Sequence, residues 1–448
     1  MSQATGNGRR YAVTRLLVGN DFGEELRKRP GAGWWVQRLV WFAQDGDILV
    51  LPVRPEEDYL RYVTSMTGTR LSSLKVIIPP PGHLGAEMLT SDRLRDKEFL
   101  DELGEAVAGA AVDSVLALFP DAAIASLAEA LGLENRMPGY AFVSQGGGAI
   151  VNSKAFFRAV AAGAGAPIPE GTVCPTPQAA EEAVLKLLAA GHVAILKHEF
   201  LSSGKGNEIL SPYDGVRPIG ARSATVVTDR AAVHAYLAER WDALSGDGRN
   251  QVVVERYFPD SAAAFAEFLI TDEGIEFGGQ GDMLSEPFAI AQIIPAPALT
   301  PDQAQRLVAA GRLLCEPLHA MGYRGRLSAD GIVTPDGDVL FTEYNGRVTG
   351  STHVYAVIGE QVVGADYARD RVLFEHLWPE GWTAPSFAAV VARISGAGLA
   401  YDPATRTGVV LASAFNRPDD ALHCCVVAES LAAAQEIRLR LEPLFTGD

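Results

Sequence analysis

The sequence predicts an α/β fold that opens on a Rossmann-like half sheet. Three observations carry this reading. Residues 15–19, 47–52, 75–78 and 114–119 are short, fully apolar runs of the kind that buried parallel strands show. Helical patterns at 99–111 and 126–131 fall between or after them. Further along, Thr300-Pro301-Asp302-Gln303 is a capping box with proline at the first helical position, and apolar residues recur behind it at helical spacing.

At 448 residues the chain is long enough for about three domains. With 48% hydrophobic and 21% charged residues, it has the composition of an ordinary globular protein. A formal charge of −17 argues against a nucleic-acid partner and against adhesion to anionic membranes. No apolar run approaches the roughly 18 residues that a spanning helix needs. The N-terminal stretch has no apolar segment behind its arginines, so no signal peptide is expected and a cytoplasmic location is. Cys174, Cys315, Cys424 and Cys425 lack zinc or redox spacing and read as reduced thiols.

In the first 145 residues Gly19-Asn-Asp-Phe-Gly23 follows the first strand, but G-x-G-x-x-G is absent, so a dinucleotide site is not expected. Gln145 to Gly148 reads as a linker. Ser153 is a candidate N-cap for an amphipathic helix through Ala162, with Lys154 at its start. A helix over 181–190 leads to a strand, 192–197, that ends in Lys197. The small-residue loop Ser202, Ser203, Gly204, Lys205, Gly206, Asn207 follows. Closely approaching backbone N–H groups and an ammonium suit such a loop to polyphosphate, although it is not a Walker A sequence. Residues 251–258 form a strand that runs into Glu255 and stops at Pro259. Strands are expected at 264–271, 274–277 and 289–294. The capped helix then ends at Gly322. Beyond residue 354 the pattern predicts a helix over 364–377, strands at 388–394, 408–415 and 423–427, and a final helix over 430–441.

The stretch from Asp330 to His353 carries the densest chemistry. Asp336-Gly337 between apolar runs predicts a two-residue hairpin loop, which places Asp330 directly opposite Glu343. The two-residue period of a strand puts Glu343, Asn345 and Arg347 on one face. Like charges facing each other on a sheet are unfavourable, so the pair calls for a cation. Two carboxylates and an amide oxygen suit Mg²⁺ or Mn²⁺. A solvated hairpin with its charges in water is the plain alternative.

In order and spacing these signals resemble the ATP-grasp superfamily, over about residues 150–375. The resemblance implies an α+β grasp: a Rossmann-like pre-ATP-grasp domain (1–145), an ATP-grasp domain (146–385) with a lid subdomain at about 171–258, and a C-terminal α/β extension (386–448). It implies ATP held by Lys154, Lys197 and the loop Ser202, Ser203, Gly204, Lys205 and Gly206. Adenine would lie against the strand of Glu255 and Tyr257. Asp330, Glu343 and Asn345 would ligate Mg²⁺ or Mn²⁺, and Arg347 with Arg326 would bind a reacting carboxylate. The acidic residue usual about seven positions after the adenine-strand glutamate falls here on Ala262, so Asp260 or Ser261 would substitute for it. Thr349, Ser351 and His353 are candidates for substrate contact.

The N-terminal pattern and long C-terminal stretch look most like the peptide ligases of pheganomycin-type antibiotic biosynthesis. These join an N-capped amino acid to the amine of an amino acid or peptide, which implies small-molecule partners and, by habit of the superfamily, a homodimer. Two rivals stay open: an ATP-grasp kinase acting on a hydroxyl, and a non-catalytic nucleotide-binding module.

Overall fold

The computed structural model describes residues 14–21, 32–416 and 420–446. The N-terminal thirteen residues and the Phe22-Gly23 end of the early glycine loop lie outside them. The first sheet is parallel, with strand order β3-β2-β1-β4: β1 (Arg15–Val18), β2 (Ile48–Val50), β3 (Lys75–Ile77) and β4 (Ser114–Ala117). Helices Glu57–Thr67, Lys97–Ala110 and Ala122–Ala130 accompany it. Asp96 and Asp121 cap the second and third, accepting from the backbone N–H three residues on.

The next sheet has five strands, β5 (Gly171–Cys174), β6 (Val193–His198), β7 (Asn207–Ser211), β8 (Ala224–Val226) and β9 (Val252–Tyr257), in the order β5-β9-β6-β7-β8. Helices Pro177–Ala189 and Arg230–Ser245 share its core, which includes Val184, Leu187, Leu196, Leu237 and Val254.

The largest sheet has eight strands. β10 (Ala262–Ile270), β11 (Ile275–Ser285), β12 (Ala289–Ile294), β13 (Gly325–Val333), β14 (Val339–Asn345), β15 (Val372–Leu377), β16 (Gly408–Leu411) and β17 (His423–Ala428) run in the order β14-β13-β10-β11-β12-β15-β17-β16, and the pairs are antiparallel. Helix α1 (Lys154–Ala164) is capped by Ser153, whose side chain accepts from Phe156 N. Helix α2 (Pro301–Ala320) carries the capping box in full and buries Leu307, Leu314 and Leu318. Both pack on β13 and β14 neighbours, in a core shared with Phe157, Phe268, Phe341 and Tyr344.

The C-terminal strands extend this same sheet and close a core with the N-terminal one. Leu17, Trp41 and Tyr59 pack with Tyr355, Phe387 and Val426. Trp41 Nε1 donates to Ala412 O at 2.9 Å, and Leu411 N donates to Tyr62 Oη at 3.0 Å.

Three local expectations give way. Residues 364–377 are not a helix: β15 occupies Val372–Leu377, and pairing on both sides with β12 and β17 overrides the local helical pattern. The helical turns lie earlier, over Val354–Val363, wound as a π-helix. Residues 388–394 belong to helix Phe387–Gly396, capped by Ser386, with Phe387, Val390 and Ile394 buried at helical spacing. Gln145 to Gly148 is no linker, because Gly147 and Gly148 are buried in the short helix Gly147–Ile150.

Gly148 is there because nothing larger fits. A Cβ would stand 2.0 Å from Pro120 O. Gly148→Ala is therefore expected to destabilise the protein by about 1–3 kcal/mol, the usual cost of overpacking a filled site. Chemical denaturation of the variant beside the parent would show it, and unchanged stability would mean the backbone there yields freely.

Candidate functional site

A cleft of about 700 Å³ separates the five-stranded sheet from the eight-stranded one, and the Asp330–Arg347 stretch forms its floor. The hairpin closes differently from expectation. Val333 pairs with Val339, so the loop comprises residues 334–338 rather than two. Of Asp336 and Gly337 only the glycine has positive φ, at +89°, which rules out the expected turn. Thr334 N donates to Asp338 O at 2.9 Å and Gly337 N to Thr334 O at 2.8 Å, closing the loop internally. A bulge between Asp330 and Gly331 then shifts the register, so that Asp330 lies opposite Glu343.

Two cross-strand rows result. Phe265, Asp330 and Glu343 form one, and Glu267, Ser328 and Asn345 the other. Asp330 accepts from Ser328 Oγ at 2.6 Å and from Asn345 Nδ2 at 2.8 Å. Arg347 Nη1 donates to Asn152 Oδ1 at 2.7 Å and to Asn345 Oδ1 at 2.5 Å. Burial, and next the facing Glu343, push the Asp330 carboxyl up to about 7. Burial pushes Glu343 the same way, but Lys154, Lys197 and Arg347 outweigh it and hold its carboxyl below the usual range. The two acids are thus driven apart, one towards the neutral form and one towards the charged form. Among the described residues no group of three or more His, Cys, Asp or Glu is placed to hold a metal. The oxygen donors available here are two carboxylates and one amide.

Both lysines are buried beside this floor. Lys154 Nζ lies 2.8 Å from Glu343 Oε2 and donates to Leu201 O at 2.7 Å. Lys197 forms a short ion pair with Glu255 and donates to Thr342 O at 3.3 Å. Glu255 also receives Arg158 Nη1 at 2.7 Å and is 1% exposed, so its carboxylate is committed to two cations. Ser202, Ser203, Gly204, Lys205 and Tyr257 line the cleft. Gly206 sits behind the loop, packed on Leu201 and His198. Asp260 points elsewhere, in an exposed pair with Arg217 at 3.6 Å, whereas Ser261 lines the cleft and its Oγ is buried without a partner among the described residues.

The residues beyond Arg347 divide. Thr349 and Ser351 line the cleft, but their hydroxyls are spent on the buried Glu267, which also accepts from Thr352 at 2.8 Å. His353 does not reach the cleft: it is fully buried, edge-on to Trp35, with Nε2 3.0 Å from Ala412 O. Burial, then Arg38, push its imidazole down to about 3, so it stays neutral. Arg326 lines a neighbouring cavity of about 620 Å³ and donates to Tyr355 Oη at 2.9 Å. Its parity along β13 matches that of Asp330, but four residues of strand carry it out of the cleft. Arg347 borders both cavities.

Sequence reasoning passed over Glu267, Asn152, Arg158 and Ser328. Glu267 could have been found, as a lone acid inside the apolar run of β10, where burial requires partners. Asn152 and Arg158 meet their partners only through folding and carry no local signal.

The raised Asp330 has a consequence for stability. Its carboxyl is harder to ionise in the folded chain than in the unfolded one, where the ordinary value is 3.8, so a cost develops as pH rises from about 4 and is complete above about 7. In metal-free buffer Asp330→Asn should therefore stabilise the protein at pH 8 by at least about 1 kcal/mol and give little at pH 4. Thermal denaturation at both values in a chelator checks this; an equal effect at the two would show that charge is not the cause.

Comparison with known proteins agrees with this architecture. Residues 36–133 match the family model described as the pre ATP-grasp domain, and residues 389–441 match the PGM1 C-terminal domain. No curated protein sequence matches the chain. Among solved structures, N5-carboxyaminoimidazole ribonucleotide synthetase from Thermus thermophilus superposes with a TM-score of 0.55 at 16% identity, over 97% of this chain and 99% of its own. The biotin carboxylase domain of the Hydrogenobacter thermophilus 2-oxoglutarate carboxylase, in complex with magnesium ADP and bicarbonate, gives 0.57 at 13%, over 96% and 89%. L-amino acid ligase from Bacillus licheniformis gives 0.53 at 13%, over 97% and 98%. The chain thus has the mixed α/β fold of the ATP-grasp proteins, with a pre-ATP-grasp domain ahead of it.

Proposed function

We propose that the protein is an ATP-dependent carboxylate–amine ligase, activating an acid as its acyl phosphate and passing the acyl group to an amine. The observation that carries this is the pair Asp330 and Glu343, facing each other on the floor of a cleft whose roof is a small-residue loop. Similar solved proteins include a ligase of amino acids and an enzyme crystallised with magnesium ADP. We read residues 1–145 as the pre-ATP-grasp domain, 146–385 as the grasp with its lid at about 171–258, and 386–448 as the extension. The acid we favour is an N-capped amino acid, and the acceptor an amino acid or peptide, following the sequence resemblance to pheganomycin-type ligases.

The residues present fit a magnesium ion. Asp330 and Glu343 repel one another, and Asn345 brings an amide from the neighbouring row. When bound, the ion would supply neutralisation of phosphate charge. Lys197, which lines the cleft, would meet phosphate oxygens, with Arg158 remaining to hold Glu255 when Lys197 turns to the nucleotide. Lys154 holds Glu343 against the loop carbonyl of Leu201, tying floor to lid. The backbone of β9 beyond Glu255 and the ring of Tyr257 would border adenine, with Ser261 rather than Asp260 facing the sugar. Arg347, bonded only to neutral amides among the described residues, keeps its charge for the reacting carboxylate and for the oxyanion that forms when the amine attacks.

A ligase must pass through an acyl phosphate, because a free carboxylate is a poor acyl donor. A panel of acids with ATP, Mg²⁺ and hydroxylamine should yield a hydroxamate, and Arg347→Ala should stop it. Heavy oxygen placed in the acid carboxylate should appear in the released phosphate. If the label stays in the product and a phosphorylated hydroxyl compound accumulates, the enzyme is a kinase and the ligase reading falls.

Two substitutions test the site itself. Glu343→Gln keeps size and removes one charge, so ADP release should cease while the fold persists; near-parental turnover would remove Glu343 from the reaction. Lys197→Ala deletes a charge-assisted contact worth about 1.5–3 kcal/mol, which is on the order of 10- to 150-fold in ATP affinity. Calorimetry showing parental affinity in the folded variant would confine Lys197 to its pair with Glu255.

A further inference from the structure

Past Arg347 the cleft continues to an end that nucleotide and metal binding do not use. Its walls come from two distant parts of the chain. Trp34 and Trp35 lie on the short helix Ala32–Val36, Glu375 on β15 and His423 on β17. The His423 ring sits 4.8 Å from the Trp35 ring at 40° and 5.9 Å from that of Trp34 at 31°. Glu375, 4% exposed, makes a short bond with His423 Nδ1, and Nε2 has no hydrogen-bond partner among the described residues. Trp34 is 5% exposed, and its indole N–H is buried without an acceptor among the described residues.

An unpaired buried donor is costly to keep. Here it stands beside an imidazole–carboxylate pair able to receive N–H groups, against flat apolar faces. A molecule filling this end must bring an oxygen acceptor for Trp34 and an N–H donor for His423 and Glu375, a few bonds apart on a body that packs on indole. An α-amino acid, or the first residue of a peptide, has that arrangement in its carbonyl and amino groups. The end is also wired to the reaction site: Arg38 stacks over Trp35 at 4.4 Å and donates to Val348 O at 3.4 Å, next to Arg347.

The geometry points to this end of the cleft as the docking subsite for the acyl acceptor, with Trp34 Nε1 donating to the α-carbonyl oxygen and the Glu375–His423 pair receiving the amino group. This rests on the ligase reading and adds a task for the C-terminal strands, which supply both members of that pair. Trp34, Glu375 and His423 act here as binding groups that select the amine.

The test is a competition. An acid that gives hydroxamate is incubated with ATP and Mg²⁺, and hydroxylamine competes with the best amine from a panel of free L-amino acids and dipeptides. Hydroxylamine has no α-carbonyl to dock. The ratio of amide to hydroxamate should therefore fall about 5-fold in Trp34→Phe, the scale of one lost hydrogen bond, and about 10-fold or more in Glu375→Gln. With butylamine as competitor, which has an amino group but no α-carbonyl, Trp34→Phe should leave the ratio as in the parent, whereas Glu375→Gln should still lower it. A parental ratio for the amino acid in Trp34→Phe, which keeps the aromatic wall, overturns the subsite. So does an equal fall with butylamine in that variant. Absence of hydroxamate from the parent for every acid overturns the ligase reading instead, and the subsite with it.

Discussion

The site depends on two carboxylates held face to face where the sheet would prefer that they were apart. Asp330 and Glu343 occupy one cross-strand pair, and a bulge one residue away is what keeps them there. Around them the chain assembles compensation from every side: Lys154 from helix α1, Lys197 from β6, Arg347 from the segment after β14. Lys154 pairs directly with Glu343 and the other two cations act on it through space, so that acid stays charged while Asp330 carries the strain. Burial and a neighbouring charge thus separate two like groups within one pocket. Such a pocket is less stable empty than a neutral floor would be.

The same logic organises the five-stranded sheet. Lys197 and Arg158 converge on Glu255, a buried triad in which one acid is shared by two cations. Buried ion pairs contribute little net stability, because desolvation offsets the attraction. Their value here is positional. The triad fixes an ammonium at the junction of β6, β9 and the floor of the cleft. Glu267 plays a parallel part further along, gathering Thr349, Ser351 and Thr352 and so setting the path of the chain as it leaves Arg347.

The C-terminal strands are part of this construction. β15, β17 and β16 prolong the sheet that carries Asp330, and their outer face shares a core with the N-terminal sheet. That shared core is what brings Trp35 over His353 and against His423. Pocket walls made from residues nearly 400 positions apart therefore rest on ordinary apolar packing, with Trp41 and Tyr62 adding the hydrogen bonds that fix its register.

Much was determined by the sequence alone. Four apolar runs dictated the parallel sheet, since strands buried on both faces must be apolar throughout. Thr300 to Gln303 dictated the start of helix α2, because a capping box is satisfied within four residues. The strand period places Asp330, Glu343, Asn345 and Arg347 together, although the turn differs from the two-residue loop it implies: Thr334 and Asp338 close a wider loop, and the bulge restores the pairing. At 364–377 and 388–394 neighbours decided between helix and strand, since strand pairing and helix capping compete for the same residues. Only the tertiary structure removed His353 and Arg326 from the cleft, joined Lys154 to Glu343 and Lys197 to Glu255, and set His423 beside two tryptophans. Those contacts span tens to hundreds of residues, and local propensity and periodicity reach no further than a turn or a hairpin.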